Sequence, residues 1–128
     1  MVAKRSFGIL IVALALVAGV VPARATIDLG KQWSGTWINT ENDNGELILQ
    51  IVTQHGRRFR GTLSFGQGQF KAPTFHYVRG VVRRNNTVTI RQSRKVVLTG
   101  TYEPPDFMHG DFTRIQTDSG TWVLSLDF

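Results

Sequence analysis

The sequence predicts an all-β protein, a closed antiparallel up-and-down barrel of about eight short strands behind an N-terminal signal peptide. Three observations predict it. Short runs of β-branched and aromatic residues recur between turn residues, and helical spacing of apolar residues never persists beyond one turn after the leader. Nearly every link is short, so consecutive strands should pair antiparallel as a meander.

The leader comes first. Lys4 and Arg5 form a basic start, Phe7 to Val21 is apolar and uncharged, and Pro22 precedes Ala23-Arg24-Ala25, an A-x-A cleavage site. This is the layout of a secretory signal peptide. The apolar stretch is short for a membrane span, which needs about 20 residues. Residues 1–25 are therefore read as a leader cleaved after Ala25, and 26–128 as one small barrel domain, periplasmic or secreted. The chain has no cysteine. That excludes a lipid-modified Cys, disulfides and thiolate zinc sites, so stability must come from the core alone.

Eight runs follow, roughly Trp33–Asn39, Glu46–Thr53, Arg57–Phe65, Phe75–Arg83, Thr87–Gln92, Val96–Tyr102, Met108–Ile115 and Gly120–Asp127. Asn44-Gly45 suits a hairpin turn with positive φ. His55-Gly56, Asn85-Asn86 and Ser93-Arg94 fit other tight reversals, and Pro104-Pro105-Asp106 and Asp118-Ser119-Gly120 close the last two links. The longer link from Gly66 through Thr74 is glycine-rich and carries Phe70, which makes it the candidate rim loop.

A glycine before two strand formers recurs at Gly35-Thr36-Trp37, Gly61-Thr62-Leu63, Gly80-Val81-Val82, Gly100-Thr101-Tyr102 and Gly120-Thr121-Trp122, with Gly110-Asp111-Phe112 a looser copy. Mid-strand glycine weakens a strand and marks a tight bend or close backbone approach. A small barrel needs such bends to close.

Period-two alternation assigns faces. Phe59, Gly61, Leu63 and Phe65 share one face of the third run, with Arg58 and Arg60 on the other. Val78, Gly80 and Val82 oppose Tyr77, Arg79 and Arg83; Val88 and Ile90 oppose Thr87, Thr89 and Arg91; Trp122, Leu124 and Leu126 lie together. The second and sixth runs break the pattern: Leu47-Ile48-Leu49 and Val96-Val97-Leu98 are apolar on both faces. A homo-oligomer through the outer faces of these two strands is one expectation, cover by a loop the other.

Charge is uneven along the chain. From Thr26 onward twelve lysines and arginines stand against nine acids, yet no acid lies between Leu47 and Tyr102, the stretch that holds Arg57, Arg58, Arg60, Lys71, Arg79, Arg83, Arg84, Arg91, Arg94 and Lys95. With arginines of neighbouring runs on the outer face, this becomes a basic surface patch.

Trp33-Ser34-Gly35-Thr36-Trp37 contains the Gly-x-Trp element that opens the calycin barrels, the lipocalins and avidins. Gly35-Thr36-Trp37-Ile38-Asn39 resembles the first avidin strand, Leu98-Thr99-Gly100-Thr101-Tyr102-Glu103 another avidin-type strand, and Ser119-Gly120-Thr121-Trp122 a closing one. The resemblance implies a small barrel; its apolar inside reads as filled or nearly filled, and a small hydrophobic ligand carried at the mouth would lie near Trp33, Asn39 and Phe70. It departs from the avidin pocket. The asparagine matching Asn39 contacts biotin in avidins and a serine follows four residues later, where this chain has Asp43. The only tryptophans are Trp33, Trp37 and Trp122, and the Leu98–Glu103 segment falls in a later run than its avidin match. The motifs are thus not those of a biotin-binding avidin.

No nucleophile, base and orienting group form a recognisable set, and there is no strand–turn–helix serine elbow. His55 lies in a turn. His76 alternates with Tyr77 and is read as inward scaffold. Asp106, His109 and Asp111 are close in sequence but match no ligand signature and read as a solvated turn. No catalytic residue, metal or cofactor is expected.

The expectation is a non-enzymatic binding module that takes an anionic or amphiphilic cell-envelope ligand, a lipid or a polysaccharide, on Arg58, Arg60, Arg79, Arg83 and Arg91. Export argues against nucleic acid. The alternatives are a carrier of a small hydrophobic ligand in the barrel mouth, a small-barrel enzyme of the cyclase or isomerase type, and an inhibitor of an envelope-attacking hydrolase.

Overall fold

The computed structural model describes residues 27–66 and 74–127. The leader read over residues 1–25 and the candidate rim residue Phe70 lie outside the described residues. Eight strands follow one another: β1 (Gln32–Asn39), β2 (Asn44–His55), β3 (Arg58–Phe65), β4 (Thr74–Val82), β5 (Thr87–Gln92), β6 (Val96–Glu103), β7 (Phe107–Arg114) and β8 (Asp118–Leu126). Each pairs antiparallel with the next, and β8 returns to β1 with Trp37 opposite Trp122, so the sheet is a closed up-and-down barrel. Closure leaves no free edge among the described strands to template association.

Alternation is what fills the barrel. The inward face of β3 buries Phe59, Leu63 and Phe65; that of β4 buries Val78 and Val82; that of β8 buries Trp122 and Leu124. At one end the segment ahead of β1 packs onto the core: Leu29 is fully buried, its carbonyl accepts from Trp33 Nε1 at 2.7 Å, and its amide donates to Gln54 Oε1 at 3.1 Å. Trp33 meets Tyr102 edge-on at 6.2 Å. Burial raises the Tyr102 phenol above its ordinary pKa, although the Arg57 charge pulls it the other way.

The recurrent glycines sit where strands come closest. A β-carbon on Gly110 would strike the Thr99 carbonyl oxygen. Gly100 and Gly110 are direct cross-strand partners, and a β-carbon on Gly100 would strike the His109 carbonyl. Two bare positions side by side let β6 and β7 bend inward together. Gly80 has a different reason, since the Phe59 ring lies over it from the opposite strand.

Two turns differ from expectation. Asn44-Gly45 is not the β1–β2 turn but the start of β2; the positive φ falls on Asn42 instead. Gly45 is small because a β-carbon there would meet the Gly66 carbonyl. Asp118-Ser119-Gly120 likewise opens β8, and the reversal lies one step earlier with Gln116 at positive φ. Gly56, Asn86 and Ser93 take positive φ in the other tight turns.

Candidate anion-binding face

The outer wall of β3, β4 and β5 gathers the arginines. Arg60 is the register partner of Arg79, and Arg79 that of Arg91, so three guanidinium side chains stand in one row across three strands. All three are exposed. Among the described residues none of them makes a hydrogen bond or ion pair; the two ion pairs found there are His109–Glu103 and Arg114–Asp118. Like charges directly opposed across a sheet are destabilising. The row therefore works against the stability of the sheet and presents unshared donors to solvent.

Arg79 borders two clefts. One, of about 420 Å³, is lined by Thr53, His55, Arg58, Phe59, Arg60, Arg79 and Gly80. It lies beside the irregularity in the β2–β3 register between Ile51 and Thr53, where an extra residue, Val52, is turned out to solvent. The other, of about 510 Å³, is lined by Tyr77, Arg79, Arg91, Gln92, Ser93 and Arg94. β4 is thus flanked at Arg79 by two basic hollows, and Tyr77 and Phe75, 82% and 69% exposed, form a crest that runs from there toward the start of the strand.

The expected basic residues are not all equivalent. Arg58 lines the first cleft. Arg83 lies past the end of β4 and donates to Thr89 Oγ1 at 3.0 Å. Arg57, at the base of β3, donates from Nη1 to the Arg83 carbonyl at 3.2 Å. Arg94 and Tyr77 lie outside the expected set and line the second cleft because β4 and the β5–β6 turn are neighbours in space, and the exposed Phe75 adjoins them on β4.

The residues expected at the barrel mouth are separated. Trp33 and Asn39 stand at opposite ends of β1, about 20 Å apart at the usual rise per residue. Trp33 is committed to Leu29. Asn39 is 8% exposed; its Oδ1 accepts the amides of Glu41 and Asp43, both at 2.9 Å, and its Nδ2 donates to Asp118 Oδ2 at 2.9 Å. It organises the β1–β2 turn and ties it to β8.

Arg114 is the basic residue that sequence reading passed over. It is 8% exposed, and its guanidinium carbon lies 4.7 Å from the Trp37 ring centre, 4.6 Å from Phe65 and 5.5 Å from Phe112. Parity was the available signal, since Arg114 shares its face with Met108, Gly110 and Phe112. His76 also points inward, with Nδ1 2.9 Å from Gln92 Oε1 and its ring edge-on to Phe65.

His109 and Asp111 lie on the outer side of β7, in a cleft with Thr99 and Thr121. His109 pairs with Glu103 at 2.6 Å and not with Asp111. No group of three metal-ligating side chains occurs among the described residues.

No family model, no curated protein and no solved structure matches this chain. Its chemistry has to be read from the wall itself: a row of guanidiniums with two basic hollows and exposed rings beside them.

Proposed function

We propose that this chain is an exported, non-enzymatic binding module of calycin-like build, and that it takes an anionic or amphiphilic envelope ligand on the outer wall of β3–β5. The Arg60–Arg79–Arg91 row carries the reading. Guanidinium forks suit phosphate, sulfate and carboxylate oxygens, and charge-assisted bonds to them are stronger than neutral ones. A sheet that opposes like charges in register gains from an anion laid across them. The Gly35-x-Trp37 opening and the eight-strand meander support the calycin-like build.

Binding on such a wall is electrostatic and exposed, so it must weaken with salt. The test is cosedimentation of the chain from Thr26 on with vesicles of zwitterionic lipid, with and without anionic lipid, and its retention on an anionic polysaccharide, each at low and high salt. Those residues contain every strand and the described core. Binding that requires the anionic component and falls with salt is the expected result. Absence of binding to both anionic materials at low salt overturns the proposal.

A further inference from the structure

We infer that the partner of this wall is an anionic lipid bilayer, with the β4 crest penetrating the surface; this rests on the reading of the wall as an anion-binding face. Phe75 and Tyr77 project from alternate positions of one strand, about 7 Å apart at the usual strand rise. They are the two most exposed aromatic side chains among the described residues. Opposite them across β3 stand only Ser64 and Thr62, which leave the rings unshielded.

The relief of the wall selects a bilayer over a soluble polyanion. A single polyanionic strand follows one groove. Here the basic hollows lie on both sides of β4, one with Arg58 and Arg60, the other with Arg91 and Arg94, and Arg79 belongs to both. Only a surface offers anions to both flanks of Arg79 at once while receiving the exposed rings that run on from it along β4. Amphipathic surfaces that lie in the membrane interface bury their apolar side about 5–10 Å deep, the reach of an aromatic side chain on a ridge. Tyrosine suits that depth because its ring is apolar and its hydroxyl stays at headgroup level. Arginines within a Debye length of the surface add attraction to anionic lipid.

The experiment uses the chain from Thr26 on, vesicles of zwitterionic lipid containing anionic lipid, the same vesicles made with brominated acyl chains, a soluble anionic polysaccharide and a single-stranded oligonucleotide. The native tryptophans Trp33, Trp37 and Trp122 are buried, so they should not be quenched by bromine. A Tyr77→Trp substitution reports on the crest. Its fluorescence is expected to be quenched by the brominated vesicles. Phe75→Ser with Tyr77→Ser is expected to weaken vesicle binding at least tenfold, and polysaccharide binding by a smaller factor, because the arginine row stays in place. Both positions are exposed, so the melting midpoint of the double variant should match the parent; if it does not, the quenching result alone decides. Vesicle binding without quenching of Tyr77→Trp overturns the bilayer inference and leaves the anion-binding wall standing. Tighter binding of the oligonucleotide than of vesicles, lost in the double variant, overturns it in favour of stacking on nucleic acid. No binding to any of the anionic materials overturns both readings.

Discussion

Arg114 and Asp118 close the β7–β8 reversal from inside the barrel. Nε of Arg114 donates to Oδ1 of Asp118 at 2.6 Å and Nη2 to Oδ2 at 2.5 Å, so the fork grips both carboxylate oxygens. The cation is roofed by Trp37, Phe65 and Phe112, and the carboxylate receives a third bond from Asn39. The β1–β2 and β7–β8 reversals are thereby tied together at one end of the barrel.

Removing one partner strands the other charge in a nearly dry site. Arg114→Ala should cost about 3 kcal/mol or more, because an unpaired buried carboxylate is left behind and the aromatic cage loses its filling. Arg114→Met, which keeps most of the volume, should cost less than Arg114→Ala. Urea denaturation of the three proteins checks both the size and the order. Equal midpoints for the parent and Arg114→Ala would show that the pair contributes nothing.

The same pair sets an acid limit. The bonds from Arg114 hold the Asp118 carboxyl below its ordinary pKa, the Asn39 bond assists, and burial opposes. Asp127 is lowered as well, by bonds from Ser34 and Gln32 at the exposed rim. A carboxyl with a depressed folded pKa stabilises the fold at pH above its unfolded value, about 3.9, and loses that contribution as pH falls from there through the folded value. Stability should therefore drop below about pH 4. Asp118→Asn should be less stable than the parent at neutral pH and fall less steeply over the acid range. Denaturation midpoints measured from pH 7 downward test this, and parallel acid limbs would exclude Asp118 as a source.

Gly110 is held to a single hydrogen as its side chain. Gly110→Ala forces β6 and β7 apart where Gly100 and Gly110 face each other, and overpacking of this kind costs about 1–3 kcal/mol. A thermal melt reads it directly. An unchanged midpoint would mean that closure does not depend on the close approach of these strands.

Much of the fold is legible before any coordinates, for a physical reason. Period-two burial is imposed by the pleat, so the inward sets in β3, β4, β5 and β8 can be read off the chain. The turns are less legible because glycine serves two purposes. Gly45 and Gly120 look like turn residues next to Asn44 and Ser119, yet each lies within a strand, where a β-carbon would strike a neighbouring carbonyl. The positive φ that the turns need falls on Asn42 and Gln116. The arginine wall was half legible. Parity puts Arg58, Arg60, Arg79 and Arg91 outside, but the register that stacks Arg60, Arg79 and Arg91 side by side depends on turn lengths. Arg114 hid in plain view, since a charged residue on an inward face is read as an error until its partner Asp118 is seen.

The arginine row should carry a stability cost in the free protein. Arg79→Thr removes the shared member of two like-charge pairs and places a good strand former on an exposed strand, so stability should rise by about 0.5 kcal/mol at low salt. The difference should shrink as salt screens the parent. A melt series in increasing salt tests it, and a loss of stability in Arg79→Thr at low salt would show that the row is not strained by its own charge.

The most direct measurement compares the parent with the triple variant Arg60→Thr, Arg79→Thr, Arg91→Thr for binding to vesicles containing anionic lipid at low salt. The account predicts that the variant stays folded and loses at least tenfold in affinity, and that the parent's affinity falls toward the variant's as salt is raised. Equal affinities for parent and variant at low salt would contradict it.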